Sequence, residues 1–557
     1  MNFRFALTAA LLTFFFYSRA QNNYYFFVQF HDKHLNYKTL SQAHTYLSSK
    51  SLERRKRQHI ELDTNDLPVT QAYIDNISSP NVTVQYVSKW LNGAVVRTKY
   101  VDSAFLLKIK FFVDEVVYLG KLPIQGASGL SNESEPGSCE GMRGSDFDYG
   151  NGARQISMIA GESLHRKGYQ GQGMHIAVFD AGFRYVNSLC AFKPLIQEHR
   201  LLFTHDVLTG NANVYDDNDH GTNVLGVMAA DEPLNMIGTA PKASYLLFRT
   251  EIKSSEQLLE ELNWVRAAEM ADSLGVDIIN SSLGYNTFDT GVKDHEQSQL
   301  DGKTAYITRA AAMAATRGIL VVNSSGNDGN KNWHKINFPA DAPGILTVGA
   351  VDKDLVPPPF SSYGPTADYR IKPEISALGL QTAITTTYGY GFANGTSFSC
   401  PVVAGMMACL WQMNPTLKPA ELISMVSRTG HLFDEPDNVI GYGVPDFNLA
   451  AEMVNHLKIP SSKAMMIYPV QDTIQSGFVF TAHIPNDSLV RVVLREQKKF
   501  LFFRYHKKLD EQPITLSQDG VLRYRIKPVK VKLQQKIDCT ILSGKNERLS
   551  VQSILIP

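Results

Sequence analysis

Short apolar runs alternate with amphipathic segments through the middle of the chain, from about residue 148 to about residue 456. The apolar runs predict buried strands, while the segments between them repeat apolar side chains at the spacing typical of helices. The predicted strands are residues 174–179, 276–280 and 319–323, and the predicted helices are residues 258–275 and 305–317. Strands joined by helices of this length predict an α/β fold with a doubly wound parallel sheet.

Polar and glycine residues mark the ends of these predicted helices. Ser254 and Gln257 stand three residues apart before the first helical repeat, which predicts a capping box at its start. Gly275 and Gly318 predict the C-terminal ends of the two helices. In a sheet of this kind functional side chains collect where strands end, and Asp180 directly follows the first strand.

A smaller unit of mixed α+β structure is predicted for residues 21–125. Its predicted strands are residues 24–30, 82–87 and 115–118, and its predicted helices are residues 40–52 and 101–109. Residues 126–147 are rich in Gly, Ser and Glu, as expected of an exposed, cleavable linker, and we predict that maturation takes place in this region. The basic run Arg54-Arg55-Lys56-Arg57 is compatible with a processing or nucleic-acid signal, but its position beside a helical pattern favours a solvated helix face.

The last part of the chain, residues 460–557, changes to short β-rich runs and predicts an all-β domain. The predicted strands are residues 478–484, 489–494, 500–505, 521–526 and 529–533, with a tight hairpin turn at Asp519-Gly520. Residues 459–557 contain 16 Lys and Arg against 8 Asp and Glu, a net charge of +8 in a chain whose formal charge is zero. Docking to an acidic surface polymer and a solvated face without a partner both explain this bias, and the second is favoured.

The first twenty residues have the pattern of a secretory signal peptide. Arg4 precedes an apolar run over residues 5–17, and Ser18-Arg19-Ala20 offers small residues for cleavage. No later stretch reaches the ~18 apolar residues of a membrane span. We therefore expect a secreted protein, in the extracellular space, the periplasm or at the cell surface.

The five cysteines bear on disulfide pairing, and the neutral charge balance bears on the kind of partner. A disulfide between Cys139 and Cys190 is one candidate pairing, whereas Cys400 and Cys409 lie on one predicted helix and are expected in the core. The neutral balance gives no indication of nucleic-acid binding.

Three glycine-punctuated motifs carry candidate chemistry. They are Asp180-Ala181-Gly182, His220-Gly221-Thr222 and Gly395-Thr396-Ser397. A serine hydroxyl is a poor nucleophile until a base removes its proton, and a histidine oriented by an aspartate is the usual base. The order Asp, His, Ser therefore indicates a nucleophilic serine at position 397.

Together with Ser324-Ser325-Gly326-Asn327, these motifs resemble the subtilisin-like serine protease (subtilase) family, over roughly residues 149–450. The resemblance implies a secreted bacterial endopeptidase with the triad Asp180, His220 and Ser397. It also implies that Asn327 donates to the oxyanion together with the backbone N–H of Ser397. Ser282, Leu283 and Gly284 match the segment that pairs with the substrate as an added strand.

The resemblance carries expectations about partners as well. The substrates would be polypeptides, and residues 21–125 would be a prosegment that inhibits the enzyme and assists its folding. The chemistry needs no cofactor and no metal ligand is assigned. Structural calcium is frequent in the family, but Asp216-Asp217-Asn218-Asp219 is interpreted as a solvated loop.

Two positions depart from the family pattern or bear on the nucleophile. Ala181 stands where the family commonly has Ser or Thr, which removes a hydroxyl that supports the carboxylate. Backbone donors are expected to compensate, and the alternative is a catalytically impaired surface binding protein with the same fold. Pro401 is expected within the first turn of the helix that carries Ser397, where a missing N–H costs little.

Overall fold

The structure is a computed structural model that describes residues 22–34, 38–123, 147–215, 218–252 and 255–457, and seven strands between residues 468 and 555. The predicted signal peptide, nearly all of the predicted linker and Cys139 lie outside the described residues. The chain forms two compact units, residues 1–450 and residues 451–557. Across the described parts, no helix is both long and apolar enough to cross a membrane.

The N-terminal region contains a four-stranded antiparallel sheet in the order β2-β3-β1-β4. Its strands are β1 (Asn22–Phe30), β2 (Val82–Ser88), β3 (Gly93–Thr98) and β4 (Val113–Pro123), and its helices are α1 (Ser49–Gln58), α2 (Gln71–Ile77) and α3 (Val101–Phe105). The predicted α+β class is therefore confirmed, although β3 and α2 were not predicted. The predicted helix over residues 40–52 is wrong, because a 3₁₀ turn ends at Thr45 and Ser48 then caps α1 by accepting from the Ser51 N–H at 3.2 Å.

The N-terminal sheet is buried on both faces. Phe26, Val28 and Phe30 point from β1 into the unit's own core, while Phe27 points to the other face and joins the core of the central region. The Phe27 ring lies 5.5 Å from the ring of Tyr306. Successive side chains of a strand point to opposite faces of the sheet. Because both faces are buried here, consecutive positions of β1 are apolar.

The central region contains a seven-stranded parallel sheet in the order β13-β12-β11-β10-β5-β9-β6. The strands of this region are β5 (His175–Asp180), β6 (Leu201–Asp206), β7 (Asp231–Glu232), β8 (Met236–Ile237), β9 (Ser244–Arg249), β10 (Ile278–Ser281), β11 (Leu320–Ser324), β12 (Leu346–Val351), β13 (Ile375–Leu378), β14 (Thr382–Thr386) and β15 (Gly389–Ala393). The parallel α/β prediction is confirmed, with strand bounds shifted by one or two residues.

Helices surround this sheet. They are α4 (Ala153–Ser157), α5 (Glu162–Arg166), α6 (Lys193–Gln197), α7 (His220–Ala229), α8 (Leu259–Leu274), α9 (Tyr306–Thr316), α10 (Thr396–Met413), α11 (Pro419–Arg428) and α12 (Phe447–Leu457). The predicted capping box is wrong at Gln257, because α8 begins at Leu259 and the carboxylate of Glu260 accepts from the Gln257 N–H at 2.7 Å. Ser254 lies outside the described residues.

The basic run of α1 makes the contact between the N-terminal and central regions. Arg54 and Arg55 are buried, and both guanidinium groups bind the carboxylate of Asp272 on α8, at 2.6 Å and 2.9 Å. Arg55 also pairs with Asp66 at 2.8 Å. The predicted solvated face is therefore wrong for these two arginines, because the end of α8 supplies an acidic partner from far along the chain. Arg57, by contrast, is 37% exposed.

The C-terminal unit contains antiparallel strands in a three-stranded sheet, β16-β17-β20, and a four-stranded sheet, β19-β18-β21-β22. They are β16 (Tyr468–Asp472), β17 (Gly477–His483), β18 (Leu489–Phe500), β19 (Phe503–Thr515), β20 (Val521–Ile526), β21 (Lys536–Ser543) and β22 (Arg548–Leu555). The predicted strand at residues 500–505 is wrong, since Phe500 and Phe503 pair across the connection between β18 and β19. Residues 529–533 and Asp519-Gly520 lie outside the described residues.

Replacing Arg54 with alanine should destabilise the contact between the two regions. Removing one partner of a buried ion pair leaves an uncompensated charge, so we expect Arg54→Ala to lower the free energy of unfolding by about 3 kcal/mol. The matched control is Arg57→Ala, whose partly exposed pair with Asp277 should contribute less than about 1 kcal/mol. Urea unfolding of the full chain carrying Ser397→Ala, which keeps the N-terminal region attached, measures both by tryptophan fluorescence, and equal losses would contradict the role given to Arg54.

Candidate active site

Asp180 is the last residue of β5 and lies at the carboxyl edge of the parallel sheet, fully buried. Its Oδ1 atom accepts from His220 Nδ1 at 2.7 Å and from the backbone N–H of Ala181 at 2.8 Å. The carboxylate therefore fixes the orientation of the imidazole, since the ring nitrogen that faces it must carry the proton.

The second oxygen of Asp180, Oδ2, is buried and accepts no hydrogen bond from the residues that the structure describes. The Ala181 backbone thus supplies a donor to one carboxylate oxygen only. A Ser or Thr side chain at position 181 would carry a further donor, so the sequence departure coincides with an unsatisfied buried acceptor.

His220 is the first residue of α7, and its backbone N–H donates to Asn218 Oδ1 at 2.8 Å. The next residue must be small. A Cβ added to Gly221 would lie 2.4 Å from the backbone oxygen of Gly182 and 2.9 Å from Asp180 Cβ. Gly221 therefore lets the start of α7 approach the end of β5 closely enough for the His220–Asp180 bond.

The electrostatics of His220 are set by two opposing effects. Burial of the imidazole lowers the pKa of His220, but the charge of Asp180 and the hydrogen bond to it, together with the charges of Asp219 and Glu251, outweigh this effect, so the pKa lies above its ordinary value. The side chain is still 34% exposed, which leaves the imidazole accessible from the solvent.

Ser397 is the second residue of α10 and is 8% exposed. Its Oγ atom donates to the backbone carbonyl of Ser282 at 3.3 Å, and no hydrogen bond joins it to His220. The ring of the next residue, Phe398, lies 5.7 Å from the His220 ring, so α10 and α7 meet at this point. The structure thus joins Asp180 to His220 directly and brings Ser397 to the same edge with its hydroxyl turned to Ser282.

Pro401 explains why Ser282 contacts Ser397. Pro401 lies in the sixth position of α10, beyond the predicted first turn, so its missing N–H leaves the carbonyl of Ser397 without its helical donor. The hydroxyl of Ser282 donates to that carbonyl at 2.9 Å instead. Ser282 and Ser397 therefore bind each other through two hydrogen bonds, a positioning role for the Ser282 side chain that the sequence did not reveal.

Asn327 follows Gly326 in the turn after β11. Its Oδ1 atom accepts from the backbone N–H and the hydroxyl of Thr396, at 2.9 Å and 3.1 Å. This arrangement uses the amide oxygen and leaves the Nδ2 donor without an acceptor in the described part of the chain. A Cβ added to Gly395 would lie 3.6 Å from that Nδ2 atom, so the free donor is next to the turn that precedes Ser397.

Residues Ser282, Leu283 and Gly284 form an open edge after β10. Within the described residues none of their backbone N–H groups makes a hydrogen bond, and the next residue, Tyr285, pairs back to Phe338. Leu283 offers a carbonyl that accepts weakly from Asn323 Nδ2 at 3.3 Å. An extended peptide has free donors to pair with at this edge.

Three glutamates beside the site were missed by the sequence analysis. Burial raises the pKa of Glu251, and the carboxylates of Glu256 and Asp180 raise it further. The hydrogen bond from the Tyr285 hydroxyl acts in the opposite direction and lowers this pKa. Burial and Asp289 raise the pKa of Glu256 to about 7. Burial and Glu251 raise the pKa of Glu260. The position of Glu251, two residues after β9, was a signal that could have found it.

The cysteines and metal ligands of the described residues do not add a second chemistry. Cys190 is in a disulfide, and its predicted partner Cys139 lies outside the described residues. Cys400 and Cys409 are buried free thiols, and burial raises the pKa of both, so Cys400 does not compete with Ser397. No group of three or more metal-ligating side chains occurs in the described ranges, which leave out Asp216 and Asp217.

Comparison with known proteins identifies the family. Residues 171–443 match the model of the subtilase family, and residues 25–134 match the model of the peptidase S8 propeptide domain of Bacteroidota. The chain belongs to the subtilase family. It is accordingly a serine-type endopeptidase by class, and its N-terminal region is a propeptide, as the motifs and the order of the segments predicted.

Individual relatives are distant. Subtilisin DY of Bacillus licheniformis is 26% identical over 279 residues, 49% of this chain and 89% of that protein. Subtilisin E of Bacillus subtilis (strain 168) is 30% identical over 285 residues, 49% of this chain and 65% of that protein. The solved structure of MycP1 with its N-terminal propeptide removed is similar over 54% of this chain and 96% of its own, with 23% sequence identity and a TM-score of 0.43.

The pKa of His220 can be measured by its imidazole resonances. We expect a midpoint above the ordinary value of 6.5 in the native chain, so that more than half of His220 is protonated at pH 6.5. Asp180→Asn removes the charge and the charged hydrogen bond that raise the pKa most, so the midpoint should fall relative to the native chain. His220→Gln identifies the signal. His295, whose pKa is raised by Glu261, is the internal control and should not move. A midpoint unchanged by Asp180→Asn would contradict the assigned cause.

Proposed function

We propose that this subtilase hydrolyses peptide bonds through an acyl-enzyme on Ser397, with His220 as the general base and Asp180 as the residue that orients it. The observation that carries the proposal is the 2.7 Å hydrogen bond between His220 Nδ1 and Asp180 Oδ1. His220 takes the Oγ proton as the serine attacks and gives it to the leaving amine. Water then releases the acyl group by the same route in reverse.

The hydroxyl of Ser397 must turn from Ser282 to His220 for this step. A turn about one side-chain torsion moves Oγ between staggered positions at low cost. Catalytic hydrogen bonds are often long or poorly aligned before substrate binds, so the observed orientation is compatible with a nucleophilic role. The alternative of an impaired binding protein rests on Ala181 alone. The backbone N–H of Ala181 donates to the Asp180 carboxylate, so the missing hydroxyl does not leave the carboxylate without support.

Asn327 is proposed as the oxyanion donor. Thr396 holds the amide oxygen with two hydrogen bonds, which commits the Nδ2 group to face another acceptor. The backbone N–H of Ser397, at the start of α10, is the second proposed donor, and the helix dipole adds a favourable potential there.

The polypeptide substrate is proposed to pair with the open edge at Ser282, Leu283 and Gly284, and the prosegment is proposed to inhibit the enzyme from the adjoining surface. The last prosegment strand lies against the start of α8. A Cβ added to Gly120 on β4 would lie 2.0 Å from the Gln257 side-chain oxygen, so these segments are in tight contact. Three residues further on, at Pro123, β4 ends, and the predicted linker follows.

Export by residues 1–20 is also proposed, on the signal-peptide pattern alone. Binding of an acidic surface polymer by the C-terminal unit stays a prediction from the unit's charge of +8. Structural calcium stays a prediction from the family resemblance.

Ser397→Ala should abolish self-maturation. We expect the native chain, expressed from residue 21, to shorten by about the length of its prosegment, while Ser397→Ala stays full length because no acyl-enzyme can form. The matched control is Ser399→Ala, which removes another buried hydroxyl from the same helix and should mature normally. Intact-mass analysis measures the loss of the prosegment, and labelling with a fluorophosphonate probe detects a reactive serine. Peptide hydrolysis by Ser397→Ala at the native rate would contradict the mechanism.

Asn327→Ala should lower kcat about 10²–10³-fold with little change in KM, because the amide donates to charge that develops only in the transition state. Asn394→Ala is the control, since this exposed amide lies in the turn before Ser397 and accepts from the Gln381 N–H at 2.8 Å. Steady-state hydrolysis of a peptide substrate separates kcat from KM. A rise in KM alone would assign Asn327 to ground-state binding instead.

A further inference from the structure

The prosegment exposes large apolar side chains on one continuous segment. Tyr100 is 60% exposed, Leu106 62%, Ile109 83% and Phe111 93%, and Phe105 is 44% exposed. We call these five residues the prosegment patch. Contiguous apolar exposure of this kind on a folded unit marks an interaction surface, because isolated exposed apolar residues are ordinary but clusters are not.

The segment is folded in place, so its exposure is a property of the structure. Ala104 and Leu107 point inward and are buried in the core of the N-terminal unit. Phe112, directly after the patch, stacks on Tyr73 with ring centroids 4.4 Å apart. Backbone hydrogen bonds from Lys110 to Leu107 and from Val113 to Lys110 hold the turn that presents Ile109 and Phe111.

Lysines surround the patch. Between residues 99 and 111 the chain has Lys99, Lys108 and Lys110 against the single acid Asp102. None of the three lysines is in an ion pair with the described residues. Lys108 Nζ instead lies 5.5 Å from the ring of Phe105, which places its charge at the border of the patch.

Apolar side chains flanked in the sequence by lysines that make no ion pair with the described residues fit a lipid surface better than a protein surface. Protein interfaces are depleted in lysine, whereas segments that lie in the bilayer interface combine buried Phe, Leu or Ile with lysines that reach anionic headgroups. Each lysine near an anionic membrane adds about 1 kcal/mol of attraction. We propose that the prosegment patch docks the precursor on an anionic lipid bilayer.

The location of the patch suits this role. It precedes the first residue of β4, Val113, and the linker follows the last, Pro123. Eleven residues of strand separate the two ends by about 33 Å. A bilayer at the patch therefore lies about 33 Å along the strand from Pro123. The proposal does not depend on the catalytic mechanism.

The test uses the Ser397→Ala precursor from residue 21, so that every sample keeps its prosegment and lacks the apolar run of residues 5–17. Sedimentation with vesicles of equal parts phosphatidylglycerol and phosphatidylcholine gives the partition coefficient. We expect Ile109→Ser with Phe111→Ser to lower it about ten-fold or more. Lys108→Gln with Lys110→Gln should lower it about five-fold for each lysine removed, and binding to pure phosphatidylcholine should be weak throughout.

The matched control is Tyr369→Ser with Tyr388→Ser, which removes two aromatic side chains of the central region that are 87% and 88% exposed, and it should bind as the parent does. The apolar and aromatic variants change exposed residues, whereas Lys110 is half-buried and donates to Asn76 Oδ1 at 3.2 Å. Equal urea midpoints would verify the folding of every variant. Three results would overturn the proposal: no binding by the parent, equal binding by the Ile109 and Phe111 variant, or a dimer that depends on the patch and forms without lipid.

Discussion

The parallel register of the central sheet is the constraint on which the candidate site depends. Ser281 pairs with Phe179 across β10 and β5, and Asn323 pairs with Ser281 across β11 and β10. The three strands therefore end level, and the residues that follow them emerge side by side at one edge. Helices α7 and α10 then add His220 and Ser397 at their N-terminal ends, where the helix dipole is positive. A shift of one register position would separate Asp180 from Ser282, and the candidate site residues would no longer lie side by side.

The contact with the propeptide depends on buried charge as well as apolar area. Phe27, Trp90 and Leu119 enter the core of the central region, while Glu269 on α8 accepts from the backbone N–H groups of Lys89 and Trp90 at 2.9 Å and 3.0 Å. Buried ion pairs contribute little net stability, but an unpaired partner is costly. The acids of α8 therefore select one docking geometry, because any other leaves a carboxylate buried without its donor. Separation of the two regions exposes these acids to water, which can satisfy them.

The sequence predicted what depends on local pattern and missed what depends on distant partners. The strand before Asp180 and the helix over residues 305–317 were correct because apolar period and glycine stops are local signals. The burial of Arg54 was missed because its acidic partner, Asp272, lies more than two hundred residues away. The bond between Ser282 and the Ser397 carbonyl was missed for a similar reason: Pro401 showed which carbonyl would be free, but only the fold shows which donor reaches it.

The carboxyl groups beside the site affect His220 in a way that a scheme with Asp180 alone omits. Burial raises the pKa of Glu251, and the charge of Glu251 in turn raises the pKa of His220. When Glu251 loses its proton, the new negative charge stabilises the protonated imidazole. Deprotonation of Glu251 thus opposes deprotonation of His220 over the pH range in which a free base is needed. Interacting groups titrate as a set. The pH at which His220 becomes a base therefore depends on the protonation of Glu251 as well as on the charge of Asp180.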